Sequence, residues 1–321
     1  MSQQNKKKFN LFNPMRDGKG VEKGEDTRPT LRRFFKLWGR KWWRLVTVNF
    51  IMLVQIIPLV VCAVLYFAGP KMATQYSPLY PTLLGAQTAL PTSAGMTLFN
   101  SAAGLLHQSP IYNSWAHWVM AALIIFQLVT YGWQKVGSTY ILRNMVRGDG
   151  VFIISDFFYA IRRNLKQGFF MGLIDCVVIG TLTFDFLYFY NSPGTGLNDF
   201  MYVVILALAL IYCIMRFYTY LMLVTFDMKI GKIFKNALIF TALGIKRNLM
   251  ALLGIAGMMG VFVALILLLV PFKIYAIMIV PALCVLAFAG FMYTYAAYPV
   301  IQRYMIDPIA PKVAVETEDE A

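Results

Sequence analysis

The feature that most constrains this 321-residue sequence is a series of apolar segments, each about 20 residues or longer, between residues 45 and 300. An α-helix needs about 20 apolar residues to cross the roughly 30 Å hydrocarbon layer of a bilayer. Strands of a membrane barrel would be about half as long and would alternate in polarity. Only 14% of the residues are charged, against roughly 25% in a soluble domain. The sequence therefore predicts an all-α, polytopic membrane protein.

Six transmembrane helices are predicted. They lie at about 45–68, 115–136, 168–190, 200–226, 249–270 and 274–300, within a membrane domain covering 30–302. Pro58 is expected to kink the first span, because proline removes a backbone donor. Residues 69–114 form a long outer loop rich in Pro, Gly, Ser and Thr. Either this loop rests on the outer leaflet and re-enters it slightly, or it is a plain exposed connector.

The distribution of positive charge predicts the orientation. Segments assigned to the inner side carry 26 of the 29 Lys and Arg residues, whereas the outer side carries only Lys71 and Lys273. Because Lys and Arg concentrate on the cytosolic side of a membrane, both termini are predicted to be cytosolic. Residues 1–29 are interpreted as a disordered basic tail and 303–321 as an acidic tail. Neither tail has an aromatic and basic platform, so no nucleic-acid partner is expected.

Amphipathic helices on the inner surface are predicted before three of the spans, at 30–44, around 151–165 and at 229–248. Leu31, Phe34, Phe35, Trp38 and Trp42 recur at helical spacing in the first, where Thr30 can cap the helix. The opposite, polar face is assigned to Arg32, Arg33, Lys36, Arg40 and Lys41. Such helices suit an anionic inner leaflet, which makes the lipid bilayer a predicted partner.

The chain between the second and third spans contains a glycine-broken elbow. Gly148 and Gly150 flank Asp149 and are expected to end the helix that continues from the second span. Ser155 is predicted to cap the short helix that follows, with Asp156 near its positive end.

A weak internal repeat is visible at the inner boundaries. The basic clusters are RKWWRL ending at Leu45, IRRNL at 161–165 and IKRNL at 245–249. One hypothesis is three copies of an elbow helix followed by a helical hairpin. The alternative is that every inner membrane boundary requires basic residues.

Two charges lie within the predicted spans at similar depths. Asp175 is seven residues and Arg216 ten residues from the inner ends of their helices. An unpaired charge in a bilayer costs at least ~2.5 to 3.5 kcal/mol, so pairing or a wet cavity is expected. Three interpretations stay open: a buried ion pair that fixes helix register, a polar lining for a substrate, ion or proton, and snorkelling of Arg216 to the inner interface.

The sequence carries no recognisable catalytic or cofactor-binding pattern. Its four cysteines lie in apolar segments without CxxC spacing, and His107 and His117 match no zinc spacing. No phosphate-binding loop, dinucleotide fingerprint or HExxH motif is present. We therefore expect no enzyme activity, no metal and no cofactor.

A family resemblance is carried by YILRNMVRGDGVFIISDFFYAIRRNLKQGFFMGLI, by IFKNALIFTALGIKRNLMALLG and by FFKLWGRKWWRLVTVNFIMLVQIIPLVV. These segments resemble the YesL-like family of bacterial integral membrane proteins, a family of unknown function, over most of residues 34–265. The resemblance implies a place in the bacterial cytoplasmic membrane and an accessory role beside a carbohydrate ABC importer. It supplies no catalytic residues, and the long outer loop departs from the family pattern.

Two functional hypotheses follow. The first is an accessory or scaffold protein with a cytosolic interaction surface made of elbow residues. That surface comprises Arg147, Gly148, Asp149, Asp156, Phe157, Arg162 and Asn164. The alternative is a transporter or permease component in which Asp175, Arg216, Gln55 and Gln127 line a polar path.

Overall fold

The computed structural model describes residues 28–68, 71–72, 111–112, 114–191, 194, 196–273 and 279–308. Nine α-helices make up nearly all of this part of the chain. They are α1 Leu31–Val54, α2 Ile57–Ala68, α3 Ser114–Arg147, α4 Ile153–Arg163, α5 Leu165–Tyr190, α6 Gly196–Thr225, α7 Ile230–Leu243, α8 Ile245–Leu269 and α9 Ile279–Ile301. A 3₁₀ turn, Val270–Phe272, follows α8, and a π-helical turn, Gln302–Ile306, follows α9.

Two short strands lie at the ends of the predicted outer loop. Strand β1, Lys71–Met72, pairs antiparallel with β2, Ile111–Tyr112. Residues 73–110 lie outside the described part of the chain, as do the predicted tails at 1–27 and 309–321.

Five helices are long and apolar enough to cross a membrane, and the pair α1 and α2 adds a sixth candidate if it forms one bent span. The all-helical, membrane-spanning class predicted from the apolar segments is confirmed. Between α1 and α2 the axis bends by 45°. Pro58 lies at this bend and has no N–H to donate to the Val54 carbonyl, which is why the helix breaks there. The predicted kink at Pro58 is therefore confirmed.

Helix α9 lies at the centre of the bundle and packs against α1, α3, α6 and α8. In the most apolar stretch of α9, 67% of the residues are buried. In the most apolar stretch of α8, 0% are buried, so this helix faces outward. The densest packing occurs where 141–146 of α3 and 217–224 of α6 are buried without interruption. This end of the bundle, formed by residues 31–44, 143–166 and 225–247, also carries most of the described cations, and we call it the basic end.

The close approach of α3 to α5 depends on glycines. A Cβ on Gly132 would collide with the carbonyl oxygen of Gly168 and with the backbone of Gly172. Gly168 and Gly172 form a small-xxx-small pattern, which lets two membrane helices approach backbone to backbone. This spacing is present in the sequence and was not used to predict the contact.

The first predicted surface helix is continuous with the first span, because α1 runs unbroken from Leu31 to Val54. Thr30 caps it as predicted, since its Oγ1 accepts a hydrogen bond from the Arg33 N–H at 3.3 Å. The assignment of Lys41 to a polar face was wrong. Lys41 is only 7% exposed and lies on the buried face with Leu37 and Leu45.

The elbow ends α3 as predicted, with Gly148 in the left-handed region at φ 93°. The predicted cap of the next helix was wrong, because Phe152 rather than Ser155 is the N-cap residue of α4. Asp156 Oδ2 accepts the Phe152 N–H at 2.9 Å, so the carboxylate satisfies a free donor at the helix start.

The two RNL clusters of the proposed repeat occupy different structural positions. Asn164 forms the break between α4 and α5, and its side-chain Nδ2 donates to the Ala160 carbonyl at 2.9 Å. Asn248 instead lies one turn inside α8, where its Oδ1 accepts from the Tyr218 hydroxyl at 2.7 Å. The break before α8 falls at Gly244, and α1 has no corresponding break.

Candidate functional site

The principal polar site within the spans is an ion pair between α5 and α6. Asp175 is 2% exposed, and Arg216 Nε lies 2.7 Å from its Oδ1 and 3.0 Å from its Oδ2. Asp175 and Arg216, which were predicted to lie at similar depths in the membrane, are thus in direct contact. The Arg216 side chain is 25% exposed, so the carboxylate is the more deeply buried partner.

Three tyrosines complete this network. The Tyr212 hydroxyl donates to Asp175 Oδ1 at 2.8 Å and the Tyr220 hydroxyl donates to Oδ2 at 3.1 Å. Arg216 Nη2 donates to the Tyr131 hydroxyl on α3. Both carboxylate oxygens therefore accept hydrogen bonds from two groups, and the network joins α3, α5 and α6.

These three tyrosines were not predicted from the sequence as part of a polar site. Tyr212, Arg216 and Tyr220 follow one another at intervals of four residues, which places all three on the same face of α6. This spacing, together with Asp175 at a matching depth on the preceding helix, could have indicated that the two tyrosines hydrogen-bond to the carboxylate. Aromatic residues were assigned to membrane interfaces and were not considered as hydrogen-bond donors to a buried carboxylate.

Lys135, which lies near the inner end of the predicted second span, also belongs to this region. Its Nζ lies 5.7 Å from the centre of the Tyr131 ring, one turn away on α3, and it interacts electrostatically with both members of the ion pair. The site therefore contains two cations and one carboxylate.

The two glutamines of the alternative hypothesis do not hydrogen-bond to the ion pair. Gln55 Nε2 donates to the Thr130 hydroxyl at 3.1 Å, which ties the bend between α1 and α2 to α3. Gln127 Oε1 is buried and has no hydrogen-bond partner in the described part of the chain.

Two cations of the basic end stabilise helix C-termini. Arg143 Nη1 donates to the Val224 carbonyl at 2.7 Å, at the last turn of α6. Lys41 Nζ donates to the Met145 carbonyl at 2.7 Å, at the last turn of α3. Both cations bond carbonyls of a last helical turn and lie at the negative end of the helix dipole, and the Met145 carbonyl also accepts the Gly148 N–H at 3.3 Å. Burial, together with repulsion from Arg44 and Arg40, lowers the pKa of Lys41 to about 8.

Five of the seven elbow residues, including the exposed Gly148, remain consistent with an exposed surface or its framework. Arg147 and Asp149 form an exposed ion pair at 3.2 Å across Gly148. Arg162 is exposed on α4, and Asp156 has the capping role described above.

Phe157, which was included in the predicted surface, is buried against the bundle, whereas Asn164 is half-buried. Phe157 is 9% exposed, and its ring fills the space above Gly137 of α3, where a Cβ would collide with it. Asn164 is occupied by its bond to the Ala160 carbonyl. Phe157 anchors α4 to the bundle, whereas the Asn164 bond stays within α4. The helical periodicity of α4 indicated an apolar face without showing which way it points.

The outward face of α4 is instead formed by other residues. Phe152, Ile154 and Phe158 are 79%, 68% and 52% exposed, and they lie beside the exposed Arg162 and Arg163. Helix α7 repeats this arrangement, and its exposed apolar residues are Leu238, Ile239 and Leu243. Each helix therefore has a buried face that holds it to the bundle and an exposed face that mixes apolar and basic side chains.

The described part of the chain contains no group of three or more His, Cys, Asp or Glu residues arranged to hold a metal ion. Its four cysteines, Cys62, Cys176, Cys213 and Cys284, are free thiols. Comparison with protein-family models, curated proteins and solved structures gave no match to this chain.

Proposed function

We propose that this chain is a non-enzymatic, multi-pass accessory or scaffold protein of the bacterial cytoplasmic membrane. In this proposal α1 and α2 form one bent span, six spans cross the bilayer, and the basic end and both termini are cytosolic. The charge distribution supports the orientation, because the basic end gathers Lys and Arg from three separate segments.

The observation that carries the proposal is the two-sided packing of α4 and α7 at the basic end. Phe157 and Ile233 hold these helices against the bundle, while Phe158 and Leu238 are more than half exposed on the other side. Exposed apolar side chains beside Arg and Lys suit the boundary between anionic headgroups and hydrocarbon. The same surface suits an apolar and acidic partner at that depth.

The proposed link to carbohydrate uptake rests on the resemblance to the YesL-like family. The partner would be a carbohydrate ABC importer or another complex of the same membrane. The structure supports the location of such a surface, at α4 and α7, and the resemblance supplies the class of partner.

Affinity purification at native expression tests this proposal. Wild type, Phe158→Gln and Arg162→Gln are each solubilised in mild detergent, and co-purified membrane proteins are quantified by mass spectrometry. We expect both variants to lose a specific partner while keeping wild-type abundance. Lys273→Gln, at the opposite end of α8, is the matched control and should retain the partner. A wild-type protein that purifies alone would argue against the scaffold.

A transporter component is the second candidate, and one observation favours it. Gln127, on α3 one turn from Tyr131, has a buried Oε1 with no hydrogen-bond partner among the described residues, so a polar group at this depth is available to a solute. Gln127→Leu should then abolish uptake of the solute without loss of protein. Unchanged uptake in cells carrying Gln127→Leu would remove this candidate.

A further inference from the structure

An apolar groove separates α1 from α8 on the surface of α9. Both helices pack on α9, and the space between them has a volume of about 790 Å³. This volume lies within the roughly 300 to 1,000 Å³ of small-molecule sites. Aromatic and apolar side chains form nearly all of its wall, notably Trp38, Trp42, Phe262, Phe288 and Met292.

The groove is long and narrow along the helix axes. On α8 its wall extends from Arg247 to Phe262. This separation of fifteen residues corresponds to about 22 Å at the rise of an α-helix. One leaflet provides about half of the ~30 Å hydrocarbon layer. The groove therefore runs from the basic end past the middle of the membrane, a shape that suits one extended hydrocarbon chain.

The α8 wall is smooth because small residues occupy it. Ala251, Gly254 and Gly257 line the groove, and a Cβ built on Gly257 would meet no atom within 4 Å. The glycine leaves space that no side chain in the described ranges of the chain fills.

Polar groups are concentrated at the basic end of the groove. Arg247 lines it there, and both Arg247 and Arg33 act electrostatically on the Tyr295 hydroxyl, which also lines it. Trp38 is one of the lining residues, and its buried Nε1 has no hydrogen-bond acceptor among the described residues. Buried N–H donors in native proteins are almost always paired, so an acceptor is required here.

We propose that this groove binds a membrane phospholipid with an anionic headgroup. One acyl chain lies along the smooth wall of α8, the phosphate faces Arg247, and an ester or phosphate oxygen accepts the Trp38 N–H. The occupant is assigned by three features: a length beyond one leaflet, an apolar wall, and positive charge with a free donor at one end only.

Blocking the groove tests the acyl-chain part of the site. Wild type, Gly257→Leu and Gly260→Leu are purified in detergent with phosphatidylglycerol, and retained lipid is measured by native mass spectrometry. Gly260 lies on the same helix, also has open space at its Cβ position and does not line the groove. Gly257→Leu should lower retained lipid by about fivefold or more, because it overfills an occupied space. Equal retention by the two variants would overturn the proposal.

The headgroup part is tested by competition between phosphatidylglycerol and phosphatidylcholine. Arg247→Gln should reduce the preference for phosphatidylglycerol by about fivefold, the effect of one basic residue at a membrane surface. Lys246→Gln, at the exposed neighbouring position outside the groove, should leave the preference unchanged. Equal effects of the two variants would contradict a specific headgroup contact.

The alternative occupant is a second copy of the chain. If the molecular mass falls from dimer to monomer in Gly257→Leu while lipid retention is unchanged, the groove binds that second copy and the proposal is overturned.

Discussion

Removing the Asp175 carboxylate while leaving its partners in place should destabilise the bundle strongly. Asp175→Asn leaves the Arg216 guanidinium without its counter-ion and weakens the bonds from the Tyr212 and Tyr220 hydroxyls. Breaking a buried ion pair by removing one partner costs about 3 to 5 kcal/mol. Arg216 is 25% exposed, so the lower end of this range, about 3 kcal/mol, is the relevant estimate.

The assay is thermal unfolding in mild detergent, followed by tryptophan emission. A loss of about 3 kcal/mol corresponds to a fall in Tm of about 6 to 12 °C, taking 2 to 4 °C per kcal/mol for a large domain. The double variant Asp175→Asn with Arg216→Gln replaces both charges by hydrogen-bonding amides. It should recover at least half of that loss, because neither side chain then leaves an unpaired charge.

The double-mutant cycle decides between a structural pair and two independent charges. We expect a positive coupling energy. The double variant should lose less stability than the two single variants lose together. Additive losses would refute the reasoning. So would a single variant whose Tm falls by less than about 2 °C, since that is below the effect of 1 kcal/mol.

Three further perturbations have defined outcomes. Gly132→Ala should lower the Tm because its Cβ would collide with the Gly168 carbonyl, whereas Gly180→Ala, on α5 with no described atom within 4 Å of its Cβ position, should be neutral or gain up to ~1 kcal/mol from helix propensity. Equal effects would contradict the close contact of α3 and α5. Gly148→Ala should cost about 1 to 2 kcal/mol because its φ of 93° is unfavourable for an L side chain, measured by the same thermal assay. The free energy of unfolding of wild type, relative to that of Lys41→Met, should rise between about pH 8 and 10.5. In this range the folded state has released the Lys41 proton, whereas the unfolded chain still binds it. A difference between the two proteins that does not change with pH would contradict the lowered pKa of Lys41.

The helices of this protein were predictable because each depends on local sequence. Apolar length placed the spans, Thr30 and Gly148 marked helix boundaries, and Pro58 marked the bend. The depth of a residue along a helix was also predictable, which is why an ion pair between Asp175 and Arg216 was among the three interpretations, and the structure shows this pair.

The directions in which helix faces point were not predictable, because they depend on tertiary packing. Phe157 and Phe158 are adjacent aromatic residues of α4, and only the contact of Phe157 with Gly137 decides which one is buried. Lys41 was assigned to a polar face since its charge suggested solvent, but it bonds the Met145 carbonyl of a distant helix. Long-range partners of this kind leave no signal in local periodicity.

The groove depends on tertiary packing in the same way. Gly254 and Gly257 on α8 and Trp38 on α1 have ordinary positions in their own helices. They enclose a common space only because α1 and α8 pack on opposite sides of one face of α9. A sequence pattern that lists small and aromatic residues cannot show that they line the same cavity.

The central claim is that the exposed face of α4 contacts another protein at the membrane surface. A photo-crosslinking amino acid placed at Phe158, expressed at native level and activated in living cells, tests it most directly. The matched control is Val203, which is 62% exposed within the apolar part of α6. Our account predicts a discrete protein adduct from Phe158 that is absent from Val203. Only lipid adducts from both positions would contradict a partner surface on α4.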